Sequence, residues 1–205
     1  MAAADPTTTS FAVLGLLAVR PWAAYDLAAQ MQRSVGAVWP RAESNLYAEF
    51  KRITELGLAD ATVETGPRGT RTRYEITPAG EAALSGWLDD APGRSRLESE
   101  ALVKVLNADH GSIAALRQAI DAIDADARVQ LALGMQLAAE YARGAGPFPE
   151  RAHVNVLVWA YLASSAQAAV EWAEWARAHT GHWRDTRPTR TKLARAREVW
   201  SSATA

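Results

Sequence analysis

Residues 42–80 read AESNLYAEFKRITELGLADATVETGPRGTRTRYEITPAG, and this stretch decides the fold. Leu46, Phe50 and Ile53 recur at i, i+4 and i+7, the spacing of one apolar helix face, which predicts a helix over about Ala42–Leu56. Gly57 is a natural C-terminal cap. Two runs rich in β-formers follow, 62–65 and 71–76. Gly66-Pro67-Arg68-Gly69 between them supplies a turn, so the pair reads as a hairpin. Thr77-Pro78 then opens another helix, with threonine as cap and proline at the first helical position, running to about Leu88.

Upstream, residues 1–9 read as a loose leader. A helix is expected over Ser10–Val19, capped by Ser10 or Thr9 and ended by Arg20-Pro21, because the residue before proline disfavours the helical region. A second helix is expected over Ala23–Ser34, with Ala24, Leu27, Ala28 and Met31 as its apolar stripe. Gly36 and Pro40 bracket a loop around Trp39. Three helices, two strands and a helix in about 90 residues form a winged helix-turn-helix pattern. Ala91-Pro92-Gly93 is the clearest linker. Beyond it the chain reads as helix: Leu97–Asn107, Ser112–Arg143, Pro149–His179 and a short Thr191–Ser201. The period of the two long helices is that of a coiled coil, blurred in the first by Gln130 and Gly134. In the second, Val158, Tyr161, Ala168, Trp172 and Trp175 fall on one stripe and are candidate dimer-interface residues. The expected fold is mainly α with a small β-hairpin. An N-terminal winged helix-turn-helix, 1–90, precedes a C-terminal long-helix dimerisation and effector domain, 91–205.

Composition bounds the function. The 205 residues are 49% hydrophobic and 22% charged, ordinary for a globular chain, and contain no cysteine. That excludes disulfides, thiolate nucleophiles and thiolate-held zinc, and fits a reducing cytoplasm. The short apolar run Phe11–Val19 lacks the positive start of a signal peptide. Residues 152–170 carry no formal charge, but His153, Asn155, Ser164, Ser165 and Gln167 make them a buried interface helix rather than a membrane span. The net charge is -1. Residues 1–90 carry 8 basic and 11 acidic side chains, 91–176 carry 7 and 10, and 177–205 carry 7 and 2, so only the C-terminal tail is basic. No nucleophile–base set, phosphate loop or close carboxylate pair is visible, so no enzyme and no cofactor is expected. His179 and His182 read as residues of a helix end rather than a metal site.

Opposite Leu46, Phe50 and Ile53, the predicted helix carries Arg41, Ser44, Ala48, Lys51 and Arg52, with Asn45 and Tyr47 on its flanks. Short hydrogen-bonding groups near the N-terminus and cations along the sides are what a helix entering the major groove needs. Glu43, Glu49 and Glu55 work against DNA, Glu43 and Glu49 lying toward the apolar side. Taken alone, this helix is equally well an amphipathic helix with a solvated mixed-charge face. In the hairpin, Arg71 and Arg73 are two apart and share a face, with Thr72, Tyr74 and Ile76 on the other. With Arg68 at the turn they suit phosphates or a minor groove, although charged edge strands also serve solubility. An interaction module that keeps the winged fold without DNA binding is the alternative, supported by the net negative charge of residues 1–90.

The order of motifs resembles the PadR-type transcriptional regulators. It rests on Val13-Leu14-Gly15-Leu16-Leu17, Pro21-Trp22-Ala23-Ala24-Tyr25-Asp26-Leu27, Trp39-Pro40, the run from Asn45 to Ile53 and Glu55-Leu56-Gly57-Leu58. It continues through Gly69 to Gly80, Ala82-Ala83-Leu84, and the segment Leu97 to Leu106. Ala24, Ala48 and Phe50 stand where the family commonly has glycine, proline and leucine. The resemblance implies a cytoplasmic, DNA-binding homodimer, usually a repressor, answering to small hydrophobic or aromatic compounds. It implies groove or phosphate roles for Ser44, Asn45, Tyr47 and Lys51, and wing roles for Arg68, Arg71 and Arg73. Aromatic rings stack on flat apolar ligands, which makes Trp22, Trp87, Trp159, Tyr161 and Trp172 candidate ligand-binding residues, the first two at the junction of the domains. The basic tail suits DNA flanks, but it is expected rather to pair with the acidic body of a partner chain or to be solvated, since it follows the dimer arm.

Overall fold

The computed structural model describes residues 5–66 and 69–202. The chain folds as two compact units, Met1–Ser95 and Arg96–Ala205, and residues 91–99 carry no regular secondary structure.

The first unit contains α1 (Thr8–Leu17), β1 (Trp22–Ala23), α2 (Ala24–Gln30), α3 (Glu43–Glu55), β2 (Ala59–Gly66), β3 (Gly69–Ile76) and α4 (Pro78–Asp89). Its core is made by Val13, Leu14, Leu17, Leu27, Leu46, Phe50 and Ile53, all fully buried. The strands form one antiparallel sheet in the order β1-β3-β2. β1, two residues long, had no sequence signal of its own. It pairs Trp22 with Tyr74 and Ala23 with Arg73.

The first two helices differ from expectation. α1 begins earlier, at Thr8, and its cap is Thr7: the Thr7 side chain accepts from the Ser10 amide while the Ser10 hydroxyl accepts from the Thr7 amide, a reciprocal capping box. Ser10 is therefore the third helical residue, and both it and Thr9 are buried. α2 leaves regular α geometry at Gln30 and closes with one wider turn over Met31–Val35, where the Gly36 amide reaches back to the Met31 carbonyl at 2.9 Å. A Cβ at Gly36 would stand 2.3 Å from the Gln32 carbonyl oxygen, so this turn needs glycine.

The motif Thr77-Pro78-Ala79-Gly80 closes the unit. Thr77 caps α4 by accepting from the Gly80 amide at 3.0 Å, and its hydroxyl donates to the Gly57 carbonyl at 2.7 Å. Gly80 is buried against the backbone of Leu58, where a Cβ would meet the carbonyl oxygen at 2.0 Å.

The second unit contains α5 (Glu100–Leu106), α6 (Ile113–Ala142), α7 (Ala152–Thr180) and α8 (Arg190–Ser202). α6 and α7 pack along an alanine-rich seam. Leu116 and Ile120 meet Ala173 and Ala176 at one end, and Ala127 meets Ala166 and Val170 further along. Gly134, which blurs the period of α6, is the seat of Trp159: the indole nitrogen donates to the Gly134 carbonyl at 2.9 Å, where a Cβ would crowd it. Asp124 is buried in the seam and accepts from Arg177 at 2.7 Å and Arg128 at 2.9 Å. Among the described residues no helix is long and apolar enough to cross a membrane.

Two predictions follow from this packing. Gly80→Ala forces a methyl group into a backbone carbonyl and lowers stability by about 1–3 kcal/mol or more, measured by chemical denaturation. Hydrogen bonds from Arg177, then Arg128, hold the Asp124 carboxyl below the usual carboxylate range. A carboxyl depressed in the folded state stabilises above its unfolded value of about 3.9, and that contribution is lost as pH falls through the lower folded value. Asp124→Asn therefore unfolds at lower denaturant than the parent at neutral pH, and the gap narrows in acid.

Candidate nucleic-acid interface

The apolar side of α3 is consumed by the core, and this fixes what its other side presents. Leu46, Phe50 and Ile53 are buried, and Phe50 meets Tyr74 of β3 at 5.4 Å between ring centroids. Ser44, Asn45, Tyr47, Ala48 and Lys51 are left in solvent. Burial, and then the neighbouring Glu43 carboxylate, pushes the Tyr47 phenol up, so it stays a neutral hydroxyl at ordinary pH. Glu43 itself is exposed in the first turn.

Glu49 does turn inward. Its carboxylate accepts from the buried Ser10 hydroxyl, from the Thr7 hydroxyl at 3.1 Å, and pairs with Arg52 at 3.3 Å. The carboxylate that seemed to oppose DNA thus ties α3 to the N-terminus of α1, and Arg52 lies against it, a third of its side chain exposed. Arg41 stacks over Trp39 at 4.2 Å, and the Trp39 indole donates to the Thr9 hydroxyl at 3.0 Å. The loop before α3 is therefore also fastened to α1.

In the hairpin, β2 and β3 are in a register that puts Glu64 opposite Arg71 and Thr62 opposite Arg73. Residues opposite one another share a face. Glu64 therefore stands among the arginines: both Nε and Nη2 of Arg71 lie 2.8 Å from one carboxylate oxygen, and Arg73 is 3.9 Å from the other. Lys51 is likewise 3.5 Å from Glu55. Arg68 lies outside the described residues. The structure so brings Ser44, Asn45, Tyr47 and Lys51 onto one open helix face and Arg71 and Arg73 onto one face of the hairpin, with a carboxylate beside each of these cations. Glu64 and Glu49 were not singled out as site residues. Placing Gly66 opposite Gly69 in the sequence would have found Glu64; nothing local would have found the Ser10 partner of Glu49.

The candidate ligand residues have separate partners or none of their own kind. Trp22 is buried and donates to the Leu16 carbonyl at 3.1 Å, and Trp87 is stacked on Phe11 at 4.8 Å. Trp159 is spent on Gly134, Trp172 packs on the α6–α7 seam, and Tyr161 is exposed. Trp159 and Trp172 are thirteen residues apart on α7, about 20 Å along the axis, so they do not wall one cavity. Of the dimer candidates, Val158, Tyr161, Ala168 and Trp175 are exposed, whereas Trp172 belongs to the intrachain seam.

The family model for the transcriptional regulator PadR-like family matches residues 13–86, and that for the virulence activator alpha C-terminal region matches residues 98–180. The negative transcriptional regulator PadR of Bacillus subtilis is 31% identical over 81 residues, 38% of this chain and less than half, 43%, of that relative. The fold is similar to Bacillus subtilis PadR in complex with operator DNA (TM-score 0.69, 21% identity, 85% of this chain and 99% of that one). It is also similar to the Vibrio cholerae virulence activator AphA (0.65, 22%, 85% and 98%) and to Bacillus subtilis PadR in complex with p-coumaric acid (0.64, 21%, 84% and 98%). At these identities the likeness establishes the fold, a winged helix followed by a helical region.

The two glutamates of α3 differ in consequence. Glu49→Ala leaves the buried Ser10 hydroxyl without its acceptor and costs about 1–3 kcal/mol of stability. Glu55→Ala removes an exposed i,i+4 pair and changes stability by less than about 0.5 kcal/mol. Thermal or urea unfolding of both variants checks the contrast.

Proposed function

We propose, on the match of residues 13–86 to the transcriptional regulator PadR-like family model, that the protein is a cytoplasmic repressor that binds operator DNA as a homodimer and is released by a small hydrophobic or aromatic compound. The observation that carries the reading is the exposed face of α3. A helix buried on one side by Leu46, Phe50 and Ile53 presents Ser44, Asn45 and Tyr47 near its N-terminus and Lys51 beside them. This face suits base edges, and the β2–β3 hairpin with Arg68, Arg71 and Arg73 suits the flanking backbone. Arg41 and Arg52 are further phosphate ligands. Two copies related by a two-fold axis would read half-sites about 34 Å apart.

The carboxylates beside the cations do not block this role. Pairs as exposed as Arg71–Glu64 and Lys51–Glu55 contribute at most about 1 kcal/mol. The DNA backbone, with one negative charge on each closely spaced phosphodiester and counterions to release, replaces such a partner readily. The homodimer is supported by the exposed apolar residues of α7, Val158, Tyr161 and Trp175, which are 48–67% exposed. The effector is supported by the relative whose structure is a complex with p-coumaric acid. A ligand acts by preferring one arrangement of the two reading heads over the other. Residues 1–90 are assigned to DNA and 91–205 to dimerisation and the effector.

The test is a mobility shift on the DNA upstream of the protein's own coding sequence. Lys51→Ala with Arg71→Ala should weaken binding uniformly across sequences and reduce the salt slope by about 2, one for each phosphate contact. An unchanged slope rejects this placement and favours the interaction module. Glu64→Gln, which frees Arg71 and Arg73, should tighten binding to random-sequence DNA more than to the operator.

A further inference from the structure

One cation near α3 is held differently from the rest. Lys51, Arg52, Arg71 and Arg73 each lie beside a carboxylate. Among the described residues, Arg41 lies beside none. Its Nη1 donates to the Pro40 carbonyl at 2.7 Å, and the guanidinium sits 4.2 Å over the Trp39 ring. That stack is itself braced. The Trp39 indole donates to the Thr9 hydroxyl at 3.0 Å, and the Arg41 carbonyl accepts from the Gln32 side chain at 2.7 Å. Thr9 is buried, so the indole is fastened to α1 rather than left free in the loop.

Arg41 lines a cleft of about 430 Å³ between the start of α1 and the side of α3, where Asn45, Glu49 and Arg52 form the α3 wall. Glu49 is already bonded to Thr7 and Ser10 and paired with Arg52. Arg52 also donates to the Asp5 carbonyl at 3.5 Å. Glu43, the other carboxylate at the start of α3, is turned to Tyr47. Two guanidinium groups against one carboxylate leave the cleft with a single net positive charge, the complement of one phosphodiester.

The place of the cleft matters as much as its charge. Asn45 and Arg52, seven apart on α3, lie on the α1 side of its exposed face. Tyr47 lies on the other side, against Phe50 and so toward Tyr74 of β3. The exposed face is thus bounded by the hairpin on one flank and by the cleft on the other. A helix in a major groove about 12 Å wide lies between two phosphate backbones. The hairpin arginines serve one of these; the cleft stands where the other would pass.

We propose that this cleft seats one phosphodiester of the DNA strand on the far side of α3 from the hairpin, with Arg41 as its ligand and Trp39 as the residue that positions Arg41. A guanidinium stacked on an aromatic ring keeps its edge N–H groups for phosphate oxygens. The stack already restricts the side chain, so less rotamer freedom is lost on binding than for the exposed Lys51. The inference rests on the DNA-binding reading above and adds the residue that prepares this contact.

Salt titrations of DNA binding by the full-length protein test the site, with circular dichroism as the folding control. Arg41→Ala should lower the slope of log affinity against log salt by about 1 and weaken binding evenly across sequences. Trp39→Leu should weaken binding too, and Trp39→Phe, which keeps a ring to stack on, should restore it. Trp39→Leu/Arg41→Ala should bind no more weakly than Arg41→Ala alone, because the two residues act as one. Arg41→Lys, which keeps the charge but not the stacked fork, should keep the slope and lose affinity; affinity equal to the parent's overturns the positioning, even where Trp39→Leu fails to fold. So do additive losses from Trp39→Leu and Arg41→Ala. An unchanged slope in Arg41→Ala, while Lys51→Ala/Arg71→Ala still lowers it, overturns the cleft and leaves the DNA-binding reading standing. Unchanged slopes in both overturn that reading as well. A loss confined to particular sequences makes Arg41 a base reader and overturns the phosphate site.

Discussion

The structure of the winged-helix unit depends on one constraint: α3 must bury Leu46, Phe50 and Ile53 while its polar face stays in water. Three large side chains at helical spacing bring about 5–9 kcal/mol of apolar burial to the core, and nothing else on the helix competes with that. Rotation about the helix axis is therefore fixed, and Ser44, Asn45, Tyr47 and Lys51 face outward because they have nowhere else to go. Glu49 sharpens the constraint. Its carboxylate, accepting from Thr7 and the buried Ser10, sets the position of α3 along α1 as well as its rotation. The capping box that opens α1 and the anchor that holds α3 are the same few atoms.

The second feature of this unit is the near-neutrality of its polar face. Glu55, Glu49 and Glu64 stand beside Lys51, Arg52, Arg71 and Arg73. These partners are of two kinds. Glu49 is structural, buried and hydrogen-bonded, and Arg52 comes to it. Glu64 and Glu55 are exposed, and their pairs are weak enough to be exchanged. A surface whose cations are lightly held in this way has little long-range pull on polyanions, consistent with the slight negative charge of residues 1–90, and in the proposed role the same cations exchange these carboxylates for phosphates.

In the second unit the same economy of faces applies to α7. Its alanines face α6, where small side chains let two helices approach closely, and Trp159 is admitted only because α6 has glycine at 134. The larger residues Val158, Tyr161 and Trp175 are turned away from that seam. Asp124 with Arg128 and Arg177 fixes the longitudinal register of the pair through directional bonds that alanine packing alone would not supply.

The sequence by itself determined the elements that rest on local periodicity and caps: the apolar stripe of α3, the hairpin signalled by Gly66 and Gly69, the threonine–proline start of α4, and the two long helices. Side-chain direction is set within a few residues, so the outward face of α3 and the shared face of Arg71 and Arg73 were legible too. Tertiary structure alone decided the rest, because each remaining feature joins residues far apart in the chain. The two-residue β1 exists only because Tyr74 and Arg73 offer it an edge. Glu49 turned from a DNA-opposing charge into an anchor because Ser10 lies 39 positions away. α7 is apolar on more than one side, so its periodicity could not say which stripe meets α6; that was settled by size, with Ala166, Ala173 and Ala176 allowing the closer approach and Trp175 excluded from it.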